Sequence, residues 1–353
     1  MDDREIQMIL DGKDGTFQNY SLLTAALIAG GTAHNSDLDH YQIKFNNCLR
    51  RISLLMPPNA DPLTKAQVIL EFMHRELFRK YLLESSSLSA LFDDGIYNCV
   101  TGVVLFNSFA RRFGLNASGL ELPGHAMTRL YFGSSHYDVE TTCEIWFKLQ
   151  SMPGKQEQVI ARMLQAGVAS QAPDAPIVRR EINDVELVAK LYYNRGVDQL
   201  ARQDYALALQ CNAKALSLDP DSFTARGNFL ATINNWAIAQ SKSGNFAEAM
   251  SLLREGIQLD PQYAIFKNNH VHIYHQWIEM KCRQMRYDEA LTLSRQAMAE
   301  APQEDHFKKL EAYALMALNQ QRNQTTRTQS GLPSNLDPAQ PNHSVSTSVA
   351  YPH

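Results

Sequence analysis

Asp204-Tyr205-Ala206-Leu207-Ala208-Leu209, Asn245-Phe246-Ala247-Glu248-Ala249-Met250 and Arg286-Tyr287-Asp288-Glu289-Ala290-Leu291 share one pattern, in which a polar residue and an aromatic precede small and aliphatic positions. Their starts, at 204, 245 and 286, lie 41 residues apart, and Pro220, Pro261 and Pro302 keep the same interval. Each proline closes a segment, ending Leu218-Asp219-Pro220, Leu259-Asp260-Pro261 or Ala301-Pro302. Three markers in one register predict stacked helix pairs over 184–321, because a recurring supersecondary unit must bury its apolar face against its neighbour. Ala208, Ala249 and Ala290 leave room where helices approach closely. Residues 306–320 read as a capping helix. The segment 322–353 is rich in Gln, Asn, Ser, Thr and Pro without apolar clustering, and is expected to be a disordered tail.

The aromatic before the second helix, the small residue inside it and the closing proline resemble the tetratricopeptide repeat, whose usual period is about 34 residues. The excess here is close to two helical turns. A longer first helix in the second and third repeats accommodates it while keeping the buried stripe in phase. The resemblance implies that the repeats bind a protein partner or substrate.

Moving toward the N-terminus, residues 151–183 mix a short helical piece with Gly167-Val168-Ala169-Ser170-Gln171-Ala172-Pro173-Asp174-Ala175-Pro176, a linker composition. The first domain is therefore expected over 1–150. Residues 1–85 read as mostly helical, with apolar residues at helical spacing from Ala66 to Leu83 after the Pro57-Pro58 break. From Asp94 to Thr142 the pattern becomes a glycine turn, a helix, a loop closed by Pro123-Gly124, and two alternating segments around Gly133, which together form a small α+β unit.

The chain has 353 residues, 44% hydrophobic and 20% charged, enough for two ordinary cores. A formal net charge of -4 provides no broad positive field, which argues against nucleic-acid binding. Five widely spaced cysteines without a CxxC pair point to a reducing compartment. The opening Met1-Asp2-Asp3-Arg4 lacks the basic region of a signal peptide, and the apolar run Leu22–Ala29 is too short to span a bilayer. A cytoplasmic location with no membrane partner is the expectation. His270, His272 and His275 lack a carboxylate or cysteine completing a ligand set, so neither a metal nor another cofactor is expected.

Three short motifs carry the candidate chemistry, in the order Cys, His, acid. Cys99 follows Gly95-Ile96-Tyr97-Asn98 and precedes the helical stretch Val100–Phe113, which sets its sulfur at a helix N-terminus. Unpaired backbone N–H groups and the positive end of the helix dipole favour a thiolate there. His125 enters a strand after Pro123-Gly124. A two-residue turn at Gly133-Ser134 would pair Phe132 with Ser135 and hence Met127 with Glu140, leaving Glu140 diagonal to His125 on one face. Asp138 would face Arg129, one step farther away.

Gly95–Cys99, Pro123–His125 and Val139–Thr142 resemble the Cys, His and acid blocks of the transglutaminase-like superfamily, a papain-type cysteine fold, over roughly residues 60–145. The likeness is greatest to the bacterial branch in which this domain precedes tetratricopeptide repeats. It implies an α+β transglutaminase-like (papain-like) domain followed by an all-α repeat solenoid. It also implies Cys99 as nucleophile, His125 as general base and acid, and Glu140 as the orienting carboxylate. Glu140 stands where the family usually has Asp, which keeps Asp138 as the alternative. His125-Ala126-Met127 replaces the family's His-Ala-Trp and removes an aromatic wall. The implied reaction transfers an acyl group from an amide of a protein or peptide to the thiol and then to water or an amine, with hydrolysis favoured. The competing reading is an inactive scaffold that works through its repeats.

Overall fold

A computed structural model of the chain describes residues 3–32, 34–167 and 179–329. They are mostly helical, with two small sheets, and fall into two compact units, Met1–Ala237 and Ile238–His353. No described helix is long and apolar enough to cross a membrane.

The first unit begins with four helices, α1 (Asp3–Asp11), α2 (Leu22–Ala29), α3 (Asn35–Leu55) and α4 (Pro62–Glu76). Helix α4 starts with Asp61 accepting from the Leu63 and Thr64 amides and with Pro62 in its first turn, both favourable at a helix start. It stops at Glu76. The apolar spacing that suggested continuation to Leu83 instead feeds a short strand, β1 (Lys80–Tyr81), lying parallel to β2 (Ile96–Tyr97) across the helix α5 (Leu88–Asp94).

Helix α6 (Cys99–Arg112) is the centre of this unit, with every residue from Cys99 to Ala110 buried. Helices α2 and α4 and strands β3 (Asn116–Leu122) and β4 (His125–Phe132) pack around it. The antiparallel sheet has the order β5-β4-β3-β6, with β5 (Ser135–Val139) and β6 (Arg180–Ile182) at its edges. Phe132 stands opposite Ser135, the register that the Gly133-Ser134 turn predicts.

The sheet differs from the sequence reading at two places. Residues 116–122, read as part of a loop, form β3, and β6 lies inside the expected linker. Strand β3 pairs along its whole length with β4 across the Pro123-Gly124 turn, while β6 rests on a contact that no local pattern reveals. A Cβ on Gly119 would lie 2.6 Å from Ile182 Cγ1, so only glycine lets β6 sit against β3. The rest of the expected linker contains the short helix α7's successor, α8 (Lys155–Gly167), α7 itself being Trp146–Leu149. The linker's Ala- and Pro-containing middle, 168–178, lies outside the described residues.

Helices α9 (Asp184–Ala201) and α10 (Tyr205–Leu218) belong to the first unit, with α9 packing on α2, α6 and β3. The unit boundary falls within α11 (Phe223–Lys242). In the second unit, α12 (Phe246–Leu259), α13 (Ala264–Arg283), α14 (Tyr287–Glu300) and α15 (Asp305–Gln329) pack in sequence order. The first helices α11 and α13 have 20 residues each, while the second helices α10, α12 and α14 have 14. Helix α15 runs past residue 321, where composition sets the start of the tail, and continues to Gln329. Residues 330–353 of the expected tail lie outside the described residues.

Candidate active site

Cys99 is the first residue of α6, and the turn before it is tightly fixed. The Asn98 side chain, fully buried, accepts from the Thr101 amide at 2.9 Å, and Thr101 Oγ1 accepts from the Asn98 amide at 2.9 Å. Asn98 Nδ2 donates to the Leu83 carbonyl and to Ser86 Oγ. This reciprocal cap satisfies orphan donors of the helix start and orients the thiol beside it. Cys99 itself is only 4% exposed.

His125 opens β4 directly after the Pro123-Gly124 turn, because Leu122 and His125 are register partners. Glu140 follows the last residue of β5 and is fully buried. His125 Nε2 lies 2.6 Å from Glu140 Oε2. The other carboxylate oxygen accepts from the Thr142 amide at 2.9 Å and from Thr142 Oγ1 at 2.6 Å. With Nε2 committed to Glu140, Nδ1 is the ring nitrogen outside that contact, and His125 and Cys99 line the same cavity. Burial opposes charge on His125, but the hydrogen-bonded Glu140 carboxylate and the neighbouring Cys99 outweigh it and raise the imidazole to about 10. The ring is therefore an imidazolium at neutral pH.

The alternative carboxylate is otherwise engaged. Asp138 takes Arg129 through Nε at 2.7 Å and Nη2 at 2.9 Å, and its carbonyl accepts from Trp146 Nε1. Met127 is fully buried in the core.

Sequence reasoning missed several groups around the thiol. Burial, together with the neighbouring Cys99, pushes the Tyr81 phenol up. A cavity of about 380 Å³ opens on Cys99 and His125, and its other wall is α9, which contributes Tyr193, Asn194 and Asp198. Burial and the nearby charge of Glu84 raise Asp198 to about 6. Lys190, almost buried, also lines the cavity and is paired with Glu121, which in turn holds Arg180 at 2.8 Å. One local signal was available: Lys190 and Glu121 are charges set among apolar neighbours, in Val188-Ala189-Lys190-Leu191 and Leu120-Glu121-Leu122, where burial demands a partner.

The remaining cysteines, Cys48, Cys143, Cys211 and Cys282, are free, and burial raises each of their thiols. His270 lies 2.8 Å from Glu300, and His275 packs its ring on His306. Among the described residues, no group of three or more His, Cys, Asp or Glu is arranged to hold a metal ion.

No protein-family model matches the chain, and no curated protein does. Among solved structures, a crystal structure of menin, described as revealing the binding site for Mixed Lineage Leukemia (MLL) protein, is similar at 12% identity. The match covers 83% of this chain and 68% of that one, with a TM-score of 0.39. A likeness that loose assigns neither fold nor function.

Proposed function

We propose that this chain is a transglutaminase-like cysteine enzyme that hydrolyses or transfers amide groups of a protein or peptide through a thioester on Cys99. The observation that carries this reading is the 2.6 Å contact of His125 with Glu140, with His125 and Cys99 lining one open cavity. A nucleophile, a base and a group that orients the base are the parts that acyl transfer through a thiol requires.

In this reading the Cys99 sulfur attacks the amide carbonyl carbon, and the C=O electron pair moves onto oxygen. The Cys99 backbone N–H at the start of α6 is the donor suited to that oxyanion. The C–N bond then breaks, and the leaving amine takes the proton from His125. The neutral imidazole next accepts a proton from an incoming water, whose oxygen bonds to the thioester carbon as the C–S bond breaks. Sulfur leaves with its electron pair and the acid is released. An amine as acceptor follows the same steps and gives a new amide.

A second reading is supported by one specific observation: Cys99 is almost covered. A retired site kept as a scaffold for protein binding would tolerate such a cover. In either reading the 41-residue helix pairs are tetratricopeptide-type repeats that bind a protein. In the second unit, an open groove lined by Asn245, Phe246, Trp277 and Lys281 suits a peptide segment.

The discriminating experiment is iodoacetamide alkylation of the folded protein across pH, with and without His125→Ala. At pH 7, Cys99 should react at least roughly tenfold faster than the other four thiols, and His125→Ala should remove that advantage. Equal rates for all five cysteines in both proteins would sink the enzyme reading and leave the scaffold.

A further inference from the structure

The His125–Glu140 contact depends on where the segment 140–142 sits, and this segment is a loop after β5 rather than part of a helix or strand. A polar anchor to α4 comes from His74, in that helix's last turn, whose Nε2 lies 3.0 Å from the Thr141 carbonyl oxygen. A carbonyl only accepts, so the ring carries its proton on Nε2. Thr141 is fully buried, and its own hydroxyl oxygen has no hydrogen-bond partner among the described residues.

The same ring is fixed from the side of the nucleophile. His74 meets Phe78 edge-on at 5.0 Å and Tyr97 edge-on at 6.4 Å, while Phe78 and Tyr97 stack at 3.8 Å. Tyr97 is two residues before Cys99. Gly102, one turn after Cys99, completes the arrangement: a Cβ there would lie 3.0 Å from Thr141 Oγ1 and 3.5 Å from Phe78 Cζ. Glycine thus lets the acid's loop rest directly on the nucleophile's helix.

We infer that His74 is a positioning residue that holds Glu140 on His125 by fixing the Thr141 carbonyl, so that the acid's loop and the thiol's turn move as one body. The inference rests on the acyl-transfer reading of the site. Burial lowers the His74 imidazole, against the pull of the Thr141 carbonyl and of the Glu144 and Glu140 charges that face it. The ring therefore acts as a neutral donor at pH 7. Groups that orient the ligands of metal sites change affinity or activity by about 10–100-fold when removed, and the low end of that scale is taken for His74.

The test compares Cys99 alkylation at pH 7 in wild type, His74→Gln, His74→Leu and His125→Ala. The amide nitrogen of Gln matches the position of His Nε2 and keeps a donor, whereas Leu keeps bulk alone. The expected result is a loss of roughly tenfold in His74→Leu, recovery to within about threefold of wild type in His74→Gln, and the largest loss in His125→Ala. If His125→Ala slows Cys99 but both His74 variants react like wild type, or both fall equally, the positioning role is overturned and the acyl-transfer reading stands. If His125→Ala has no effect, that reading fails and the inference fails with it. Should His74→Leu not fold, ¹⁵N spectra of the wild-type ring decide: a neutral Nε2–H tautomer at pH 7 is expected, and an Nδ1–H tautomer or a charged ring overturns the proposal.

Discussion

The two units are held together over different distances along the chain. In Met1–Ala237, Glu5 accepts from the Tyr192 hydroxyl and from Lys214, each at 2.8 Å, across 187 and 209 positions of sequence. Arg111 pairs with Asp184, and Arg180 reaches Glu121, Glu186 and Asp219. Among the described residues of Ile238–His353, ion pairs stay within a helix or between nearby helices, as in Arg286–Glu289, Arg295–Glu311 and Arg254–Glu300. The first unit interlocks, so a local fault should spread through it. The second is close to a row of neighbours, in which stability is approximately a sum of local contributions.

The largest test of that difference uses two fully buried phenylalanines, Phe106 in α6 and Phe266 in α13. Each change to Ala should cost about 3–5 kcal/mol. Hydrogen exchange should show Phe106→Ala weakening protection across α6, β3, β4 and α9 together, and Phe266→Ala weakening α12 and α13 while α15 keeps its own rates. A confined effect in the first case, or a uniform one in the second, would break the comparison.

A smaller effect lies in the pH dependence of the two units. His125 is raised when folded, so its stabilisation is complete below its ordinary value of about 6.5 and is lost as pH rises through about 10. The first unit should lose on the order of a few kcal/mol over that window, and His125→Gln should flatten the loss in thermal melts. His270 and His275 are lowered, chiefly by burial, so the second unit should instead weaken as pH falls below about 6.5, where the unfolded rings gain protons first.

The smallest effects concern single ion pairs. Arg129→Met removes a largely sheltered bidentate partner of Asp138 and should cost about 1 kcal/mol. Arg295→Ala removes an exposed pair and should change stability by about 0.5 kcal/mol or less. Calorimetry on both variants would sharpen the contrast. Unchanged Cys99 alkylation in Arg129→Met is also expected, because Asp138 is tied to Arg129 and Glu140 to His125.

What the sequence disclosed follows the same division. The 41-residue register was readable because each helix pair repeats the same local solution, and the Phe132–Ser135 register was readable because two turn residues set it. The proximity of His125 and Glu140 followed from that register. Strand β6 was not readable, since it pairs with β3 across some sixty residues and its only trace is Gly119. The α9 wall was hidden for a related reason: Tyr193, Asn194 and Asp198 fall in a helix whose pattern looks like that of a repeat, and only tertiary packing turns them toward the thiol's cavity. His74 escaped because its partner is a backbone carbonyl, which carries no sequence signature.

The position of α9 also fixes an order in time. A chain emerges from the ribosome N-terminus first, so Cys99, His125 and Glu140 are all synthesised before Tyr193, Asn194 and Asp198 exist to wall the cavity. The bond from Tyr192 back to Glu5 can close only after nearly two hundred residues have been made, and contacts that distant form slowly. Synthesis therefore passes through a stage at which Cys99, His125 and Glu140 are all present in the chain but the α9 wall of their cavity is not.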